Sequence, residues 1–249
     1  MPETAMLARL RTQLQSLADP ANARLAARFF KTGPGQYAEG DRFLGISTPR
    51  VRHLVREHRT LSPDAALELV RSTWHEERLC GLLLWVEAWK ATRKPCLPPE
   101  EARGTRRRIN ALLLENLAFV NNWDLVDTAI PTLLGEAQLE DPDPSLLERL
   151  VASENLWERR CAILSTFAAI RQGRHGDTMR LCETLLSDPH DLMHKACGWM
   201  LREVGKRDIS ALRQFLSNHA GRMPRTMLRY SIEKMEEKER HGWMERKHP

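Results

Sequence analysis

Apolar residues along this chain recur at intervals of three and four, the spacing that lines one face of an α-helix. Leu7, Leu10, Leu14 and Leu17 form the first such face, and Asp19-Pro20 ends it. A second helix is predicted over 23–31. Thr48-Pro49 opens a third, with Val51, Leu54 and Val55 turned inward, and Ser62-Pro63 caps the next, which carries Ala66, Leu67 and Val70. The same periodicity predicts helices over 76–92, 99–117, 123–134, 144–153, 157–172, 177–186, 191–204, 209–217 and 224–238. Runs of Val, Ile and Thr with two-residue alternation are absent, so the fold class is all-α. One stretch breaks the pattern: 33–41, with three Gly and one Pro, reads as a loop or a short hairpin. Such a loop either projects from the scaffold to carry function or serves as a connector.

Several helices share a form. Trp157-Glu158-Arg159-Arg160-Cys161-Ala162-Ile163-Leu164 is matched by His194-Lys195-Ala196-Cys197-Gly198-Trp199-Met200-Leu201 and by Glu77-Arg78-Leu79-Cys80-Gly81-Leu82-Leu83-Leu84. Pro224-Arg225-Thr226-Met227-Leu228-Arg229-Tyr230 is a looser fourth copy. Each has a basic residue, a small residue or Cys, and then an apolar run. The later copies recur at roughly 33 to 36 residues, the length of a helix-pair repeat. Helix pairs that cannot bury an apolar face alone do so by stacking, which builds a curved solenoid with a concave face. On that face Arg160, Lys195 and Arg225 would gather into a basic trough able to hold a phosphate backbone, or they would simply solvate helix ends.

The 249 residues suffice for a sizeable core, and the expectation is one repeat domain over 1–235 with a charged tail over 236–249 that frays. No window approaches about 18 consecutive apolar residues, which argues against a membrane span. The first residues, Met1-Pro2-Glu3-Thr4, show no basic segment followed by an apolar run, so no secretory signal is expected. Five scattered Cys without a C-x-x-C pair read as reduced core thiols of a cytoplasmic protein. Nine His without close ligand spacing give no reason to expect a metal. The net charge of +5 is compatible with nucleic-acid binding without requiring it.

The segment richest in chemistry is Asn121-Asn122-Trp123-Asp124-Leu125-Val126-Asp127. With Asn122 as cap, Trp123 and Asp127 stand four apart on one helix face. Asp124, in the first turn, is accounted for by the helix dipole. Asp127 either stabilises positive charge on a ligand or forms a buried ion pair with Arg160. Trp123, Trp157 and Trp199 are core aromatics or, given their basic neighbours, contacts for a sugar, base or cation. Arg106-Arg107-Arg108 reads as a solvated helix start or a DNA flank, and Arg225 and Arg229, four apart, share a face suited to phosphate.

Four ordered motifs carry a family resemblance: Phe43-Leu44-Gly45-Ile46-Ser47-Thr48-Pro49, Asn122 to Asp127, Trp157 to Leu164, and Lys195-Ala196-Cys197-Gly198-Trp199-Met200-Leu201-Arg202-Glu203. Over nearly the whole chain the sequence resembles the HEAT-like repeat DNA alkylation repair proteins, the AlkD-like glycosylase superfamily. The resemblance implies a right-handed superhelical solenoid with a concave basic groove. It implies excision of cationic N3- and N7-alkylated purines from double-stranded DNA, with no metal and no organic cofactor, by a monomer acting in the cytoplasm at the nucleoid. The family's catalytic Asp matches Asp127, its groove-lining Trp residues match Trp123 and Trp199, and its phosphate-contacting Arg matches Arg160. DNA contacts are further expected from Phe29, Tyr37, Lys195, Arg225 and Arg229.

Two departures shape this expectation. Phe29 stands where AlkD-like enzymes carry a Tyr, so that hydroxyl is missing. The 33–41 insertion resembles the AlkF/AlkG branch, whose members are associated with branched DNA. The alternative is therefore a weakly catalytic or non-catalytic binder of branched or damaged DNA, and beyond that a protein-binding repeat scaffold.

Overall fold

Helices start where the sequence supplies a cap. Asp19, Ser62, Asp143, Asn155 and Asp208 each accept a backbone N–H from the turn that follows. Pro fills an opening position after Asp19, Ser62 and Asp143, where its missing N–H costs nothing. The structure, a computed structural model, describes residues 2–246. Among them the secondary structure is helical apart from one isolated parallel bridge between Arg42 and Trp74. No helix among the described residues is long and apolar enough to cross a membrane. The chain forms two compact units, Met1–Ala129 and Ile130–Pro249.

The first unit contains α1 (Glu3–Ser16), α2 (Pro20–Phe29), α3 (Thr48–Glu57), α4 (Pro63–Val70), α5 (His75–Ala91), α6 (Pro99–Glu115) and the start of α7 (Trp123–Leu133). Its centre is α5, which packs against α3, α4 and α6 and is buried on every side. Trp85 and Trp89 are enclosed there, and the Trp85 indole N–H is satisfied by the carbonyl of Pro63 at 2.8 Å. Gly81 is where α4 crosses α5: a Cβ there would lie 2.8 Å from the backbone N of Val70. By contrast, α2 buries no residue at all, and Leu25 and Phe29 on it are 61% and 66% exposed.

The second unit contains α8 (Gly135–Glu140), α9 (Pro144–Val151), α10 (Leu156–Ser165), α11 (Phe167–Ile170), α12 (Gly176–Thr184), α13 (Asp191–Gly205), α14 (Ile209–His219), α15 (Arg225–Ser231) and α16 (Glu237–Glu245). Here α13 is central, packed by α10, α12, α14 and α15. Gly198 mirrors Gly81, since a Cβ there would lie 2.6 Å from the carbonyl O of Met227 on α15. The small residue of the repeated motif thus marks where a neighbouring helix crosses. A second signature lies just upstream. Ser72, Ser153 and Asp188, two residues before the caps of α5, α10 and α13, accept the N–H of Trp74, Asn155 and His190 at 3.0, 3.1 and 2.9 Å.

Three predicted elements differ. The helix expected over 157–172 breaks at Thr166, where the Ser165 and Thr166 hydroxyls donate back to the carbonyls of Ala162 and Ile163 at 2.8 and 2.7 Å. The helix expected over 224–238 ends at Ser231, and the charged tail expected to fray is α16 instead. Trp243 explains that: only 8% exposed, it gives the charged segment an apolar foothold. Its last residues, 247–249, lie outside the described part of the chain. Of the two readings of 33–41, the loop holds: the stretch is a chain of tight turns, held by N–H groups of Gly33 and Gly35 on the side chains of Gln36 and Glu39.

Candidate active site and nucleic-acid interface

At the head of α7, the Asn122 side chain accepts the N–H of Trp123 at 2.8 Å and its carbonyl accepts that of Val126 at 3.1 Å. This sets Trp123 and Asp127 one turn apart, both half-buried. The Trp123 indole is the outer leaf of an aromatic stack. Phe30 lies 5.2 Å from it and stacked, and Phe43 lies 5.0 Å beyond Phe30 at an interplanar angle of 11°. Phe29 meets Trp123 edge-on at 6.0 Å, its own ring open to solvent. Tyr37, half-buried, donates its hydroxyl to the carbonyl of Phe29 at 3.5 Å, and Lys31 sits 6.0 Å over the Tyr37 ring.

Behind this wall is a cluster of buried charges that the spacing of motifs did not reveal. His75 donates from Nδ1 to Asp41 at 2.9 Å and from Nε2 to Asp124 at 2.8 Å. Its ring stacks on Phe43 at 4.5 Å and packs tilted against Phe30 at 5.2 Å. Burial alone would push the imidazole pKa down; the hydrogen bonds and charges of Asp124 and Asp41 outweigh it and raise the value to about 9. Asp41 also takes Nη2 of Arg78 at 2.6 Å and the side-chain amide of Asn122 at 3.3 Å. Burial pushes its carboxyl up, but His75 and Arg78 win and hold it below the usual carboxylate value. Asp124, expected only to favour the helix dipole, is therefore the link between α7 and α5.

The next residue, Glu76, organises the Phe43-to-Pro49 motif. It accepts the N–H groups of Leu44, Gly45 and Ile46 at 2.8, 2.8 and 3.1 Å. Gly45 sits at φ +83, where any Cβ would collide with the carbonyl of Asp19, so only Gly lets this loop cross α2. A sequence signal for this cluster existed: His75-Glu76-Glu77-Arg78, four titratable side chains in succession, opens a helix that is otherwise apolar all round.

The remaining basic candidates belong to the second unit. Arg160 is 4% exposed and donates from Nη1 to the carbonyl of Leu192 at 2.6 Å, on the first turn of α13. Lys195, one turn on, pairs with Asp191 at 2.8 Å, and Asp191 also bonds Thr226 on α15. The opening turns of α10, α13 and α15 thus meet. Arg225 is exposed and donates to the carbonyl of Met244 at 2.7 Å, while Arg229 is exposed one turn later. Trp199 is half-buried, with its indole N–H on Glu203 at 3.2 Å and Phe167 at 6.0 Å. Trp157, at 7% exposed, is a core residue. In the first unit, Arg106 bonds Thr92 at 2.9 Å and Arg108 pairs with Asp64, so two of the three consecutive arginines hold helices together. Four of the five Cys are buried and Cys96 is exposed. Among the described residues, no group of three or more His, Cys, Asp or Glu is placed to hold a metal ion.

Comparison with known proteins adds three findings. None of the curated proteins compared matches the chain. Among solved structures it is similar to one described as a predicted DNA alkylation repair enzyme from Enterococcus faecalis, with a TM-score of 0.65 at 16% identity, over 88% of this chain and 97% of that one. That likeness is one of fold. The sequence model for DNA alkylation repair enzymes matches residues 10–235, which takes in the Phe43-to-Pro49 loop, the head of α7 and the repeated helix motifs, and the chain belongs to that family.

Proposed function

We propose that this DNA alkylation repair family member is a monofunctional glycosylase that excises cationic N3- and N7-alkylated purines from duplex DNA. The observation that carries the reading is the pair on α7: a half-buried carboxylate, Asp127, one turn after a half-buried indole, Trp123, backed by a stacked aromatic wall. An N3- or N7-alkylated purine already bears positive charge and leaves without a general acid. As the glycosidic bond lengthens, positive charge grows on the deoxyribose, and a fixed carboxylate stabilises it and orients the attacking water. Trp123 presents an electron-rich face to that sugar. Lys195, Arg225, Arg229 and Arg160 take phosphates, which set register without reading sequence. Phe29 and Tyr37 contact the duplex beside Trp123. The protein acts as a monomer at the nucleoid and uses no cofactor.

The test is release of 7-methylguanine from alkylated duplex DNA. Wild type releases it, and Asp127→Asn loses release while keeping DNA affinity. A second reading has its own support: the 33–41 turns are internally bonded and tied to the buried cluster through Asp41, an ordered element beside Phe29, which lacks the family's hydroxyl. In that reading the chain binds branched DNA with little or no excision. Tight binding of a four-way junction without alkylpurine release decides for it.

A further inference from the structure

The glycosylase reading needs Trp123 and Asp127 at fixed orientation, yet both ride on the opening turns of a helix, the part most prone to fray. Asn122 supplies one constraint there. The other comes from outside α7, through His75. This side chain is 2% exposed and bonds at both ends, to Asp41 at the close of the 33–41 turns and to Asp124 on the first turn of α7. Its ring face also supports Phe30, the residue on which Trp123 stacks. We infer that His75 is the positioning residue of this site: clamped between two carboxylates, it ties α5 and the 33–41 turns to the head of α7 and so sets the orientation of Trp123 and Asp127. For its catalytic consequence the inference rests on the glycosylase reading; for its structural consequence it does not.

Charged groups face the ring from three elements. From its own helix, Glu76 turns to the amides of residues 44–46, and Arg78 turns to Asp41. From the preceding turns come Asp41 and Arg42, the latter stacked on Trp74 at 4.3 Å with its carbonyl accepting the His75 N–H at 2.8 Å. From α7 comes Asp124. Only an imidazolium donates to both carboxylates at once; the neutral ring serves one and leaves the other facing a lone pair. A cleft of about 290 Å³, lined by Phe30, Phe43, His75 and Asp124, gives protons a route to the ring. Deprotonation therefore releases one end of the clamp, and Trp123 is the reporter nearest to it.

The experiment uses the full chain and three variants, Trp123→Phe, His75→Gln and Asp124→Asn, between pH 7 and 10.5. Trp123 fluorescence is read as the difference between wild type and Trp123→Phe, and excision of 7-methylguanine is read in single turnovers. The Trp123 signal is expected to titrate with a midpoint near pH 9. Asp124→Asn, which removes one of the two carboxylates, is expected to move that midpoint down by about one pH unit or more. His75→Gln, which cannot titrate, is expected to abolish the transition and to lower the single-turnover rate about tenfold or more at unchanged DNA affinity. Should His75→Gln fail to fold, Asp124→Asn carries the test, since its side chain lies at the edge of the cluster. A flat Trp123 signal in folded wild type, or a midpoint unmoved by Asp124→Asn, overturns the inference. If Trp123 titrates as expected but wild type releases no base, the positioning role stands and the glycosylase reading falls.

Discussion

Glu76 offers the sharpest test of how the Phe43-to-Pro49 loop is held. Its carboxylate is 3% exposed, with Oε1 taking the N–H groups of Gly45 and Ile46 and Oε2 that of Leu44. Glu76→Ala leaves three amide donors without an acceptor, two of them buried. An orphaned buried donor costs about 1–3 kcal/mol. Partial hydration at Gly45, the most open of the three, reduces the sum, and a loss of about 3–5 kcal/mol follows. That is a large share of a domain stability of about 5–15 kcal/mol. Glu76→Gln is intermediate: the amide oxygen still serves Gly45 and Ile46, but the amide nitrogen now faces the Leu44 N–H, donor against donor. A loss of about 1–3 kcal/mol is expected there. Urea denaturation gives the two differences, and amide exchange at Leu44 and Ile46 localises them. A loss below about 1 kcal/mol for Glu76→Ala, or equal losses for both variants, refutes the reasoning.

The charged cluster predicts a pH window for stability. The raised His75 pKa contributes fully below its ordinary 6.5 and is lost as pH rises through about 9; the lowered Asp41 pKa contributes above its ordinary 3.8 and is lost as pH falls through its depressed value. The stability gap between wild type and His75→Gln should therefore narrow on alkalinisation through pH 9, and a gap that widens there contradicts the assignment. Gly81→Ala and Gly198→Ala each push a Cβ into backbone atoms of the crossing helix, and each should cost about 1–3 kcal/mol in urea unfolding. For DNA binding, Arg225→Ala with Arg229→Ala should flatten the salt dependence by about two and Arg160→Ala by about one, across sequences. An unchanged slope removes the altered residue from the phosphate contacts.

The helical architecture was legible because it is written in short-range spacing: Leu7, Leu10 and Leu14 are buried as their periodicity predicts, and Asp19 and Ser62 cap the helices they precede. The motif around Trp123 and Asp127 was legible for the same reason, since a helix places residues four apart on one side. What local spacing could not show is the cluster behind it. His75 meets Asp41 and Asp124 across 34 and 49 residues of chain, and nothing in the order of residues announces which acid a buried His will find. Asp124 looked sufficient as a dipole partner, and the same sequence satisfies both roles. The break at Thr166 was hidden because Ser and Thr are tolerated in helices until their hydroxyls turn back onto the preceding carbonyls. The role of Trp243 is not legible in sequence because one aromatic among charges weighs little in composition and much in a packed interface.

Because α2 fully buries no side chain, its opening exposes little apolar surface beyond the contacts of Phe29 with Trp123 and Phe30. Its closures are local: the Asp19 cap, the Asp19 N–H on Leu44 at 2.8 Å, and a left-handed Lys31 with the Thr32 N–H reaching back to Ala27 at 3.1 Å. Such a segment unfolds by itself at a fraction of the global free energy. Its amides should exchange with deuterium well ahead of those of α5. A bulky adduct arriving at Phe29 would then meet a hinged panel rather than a wall.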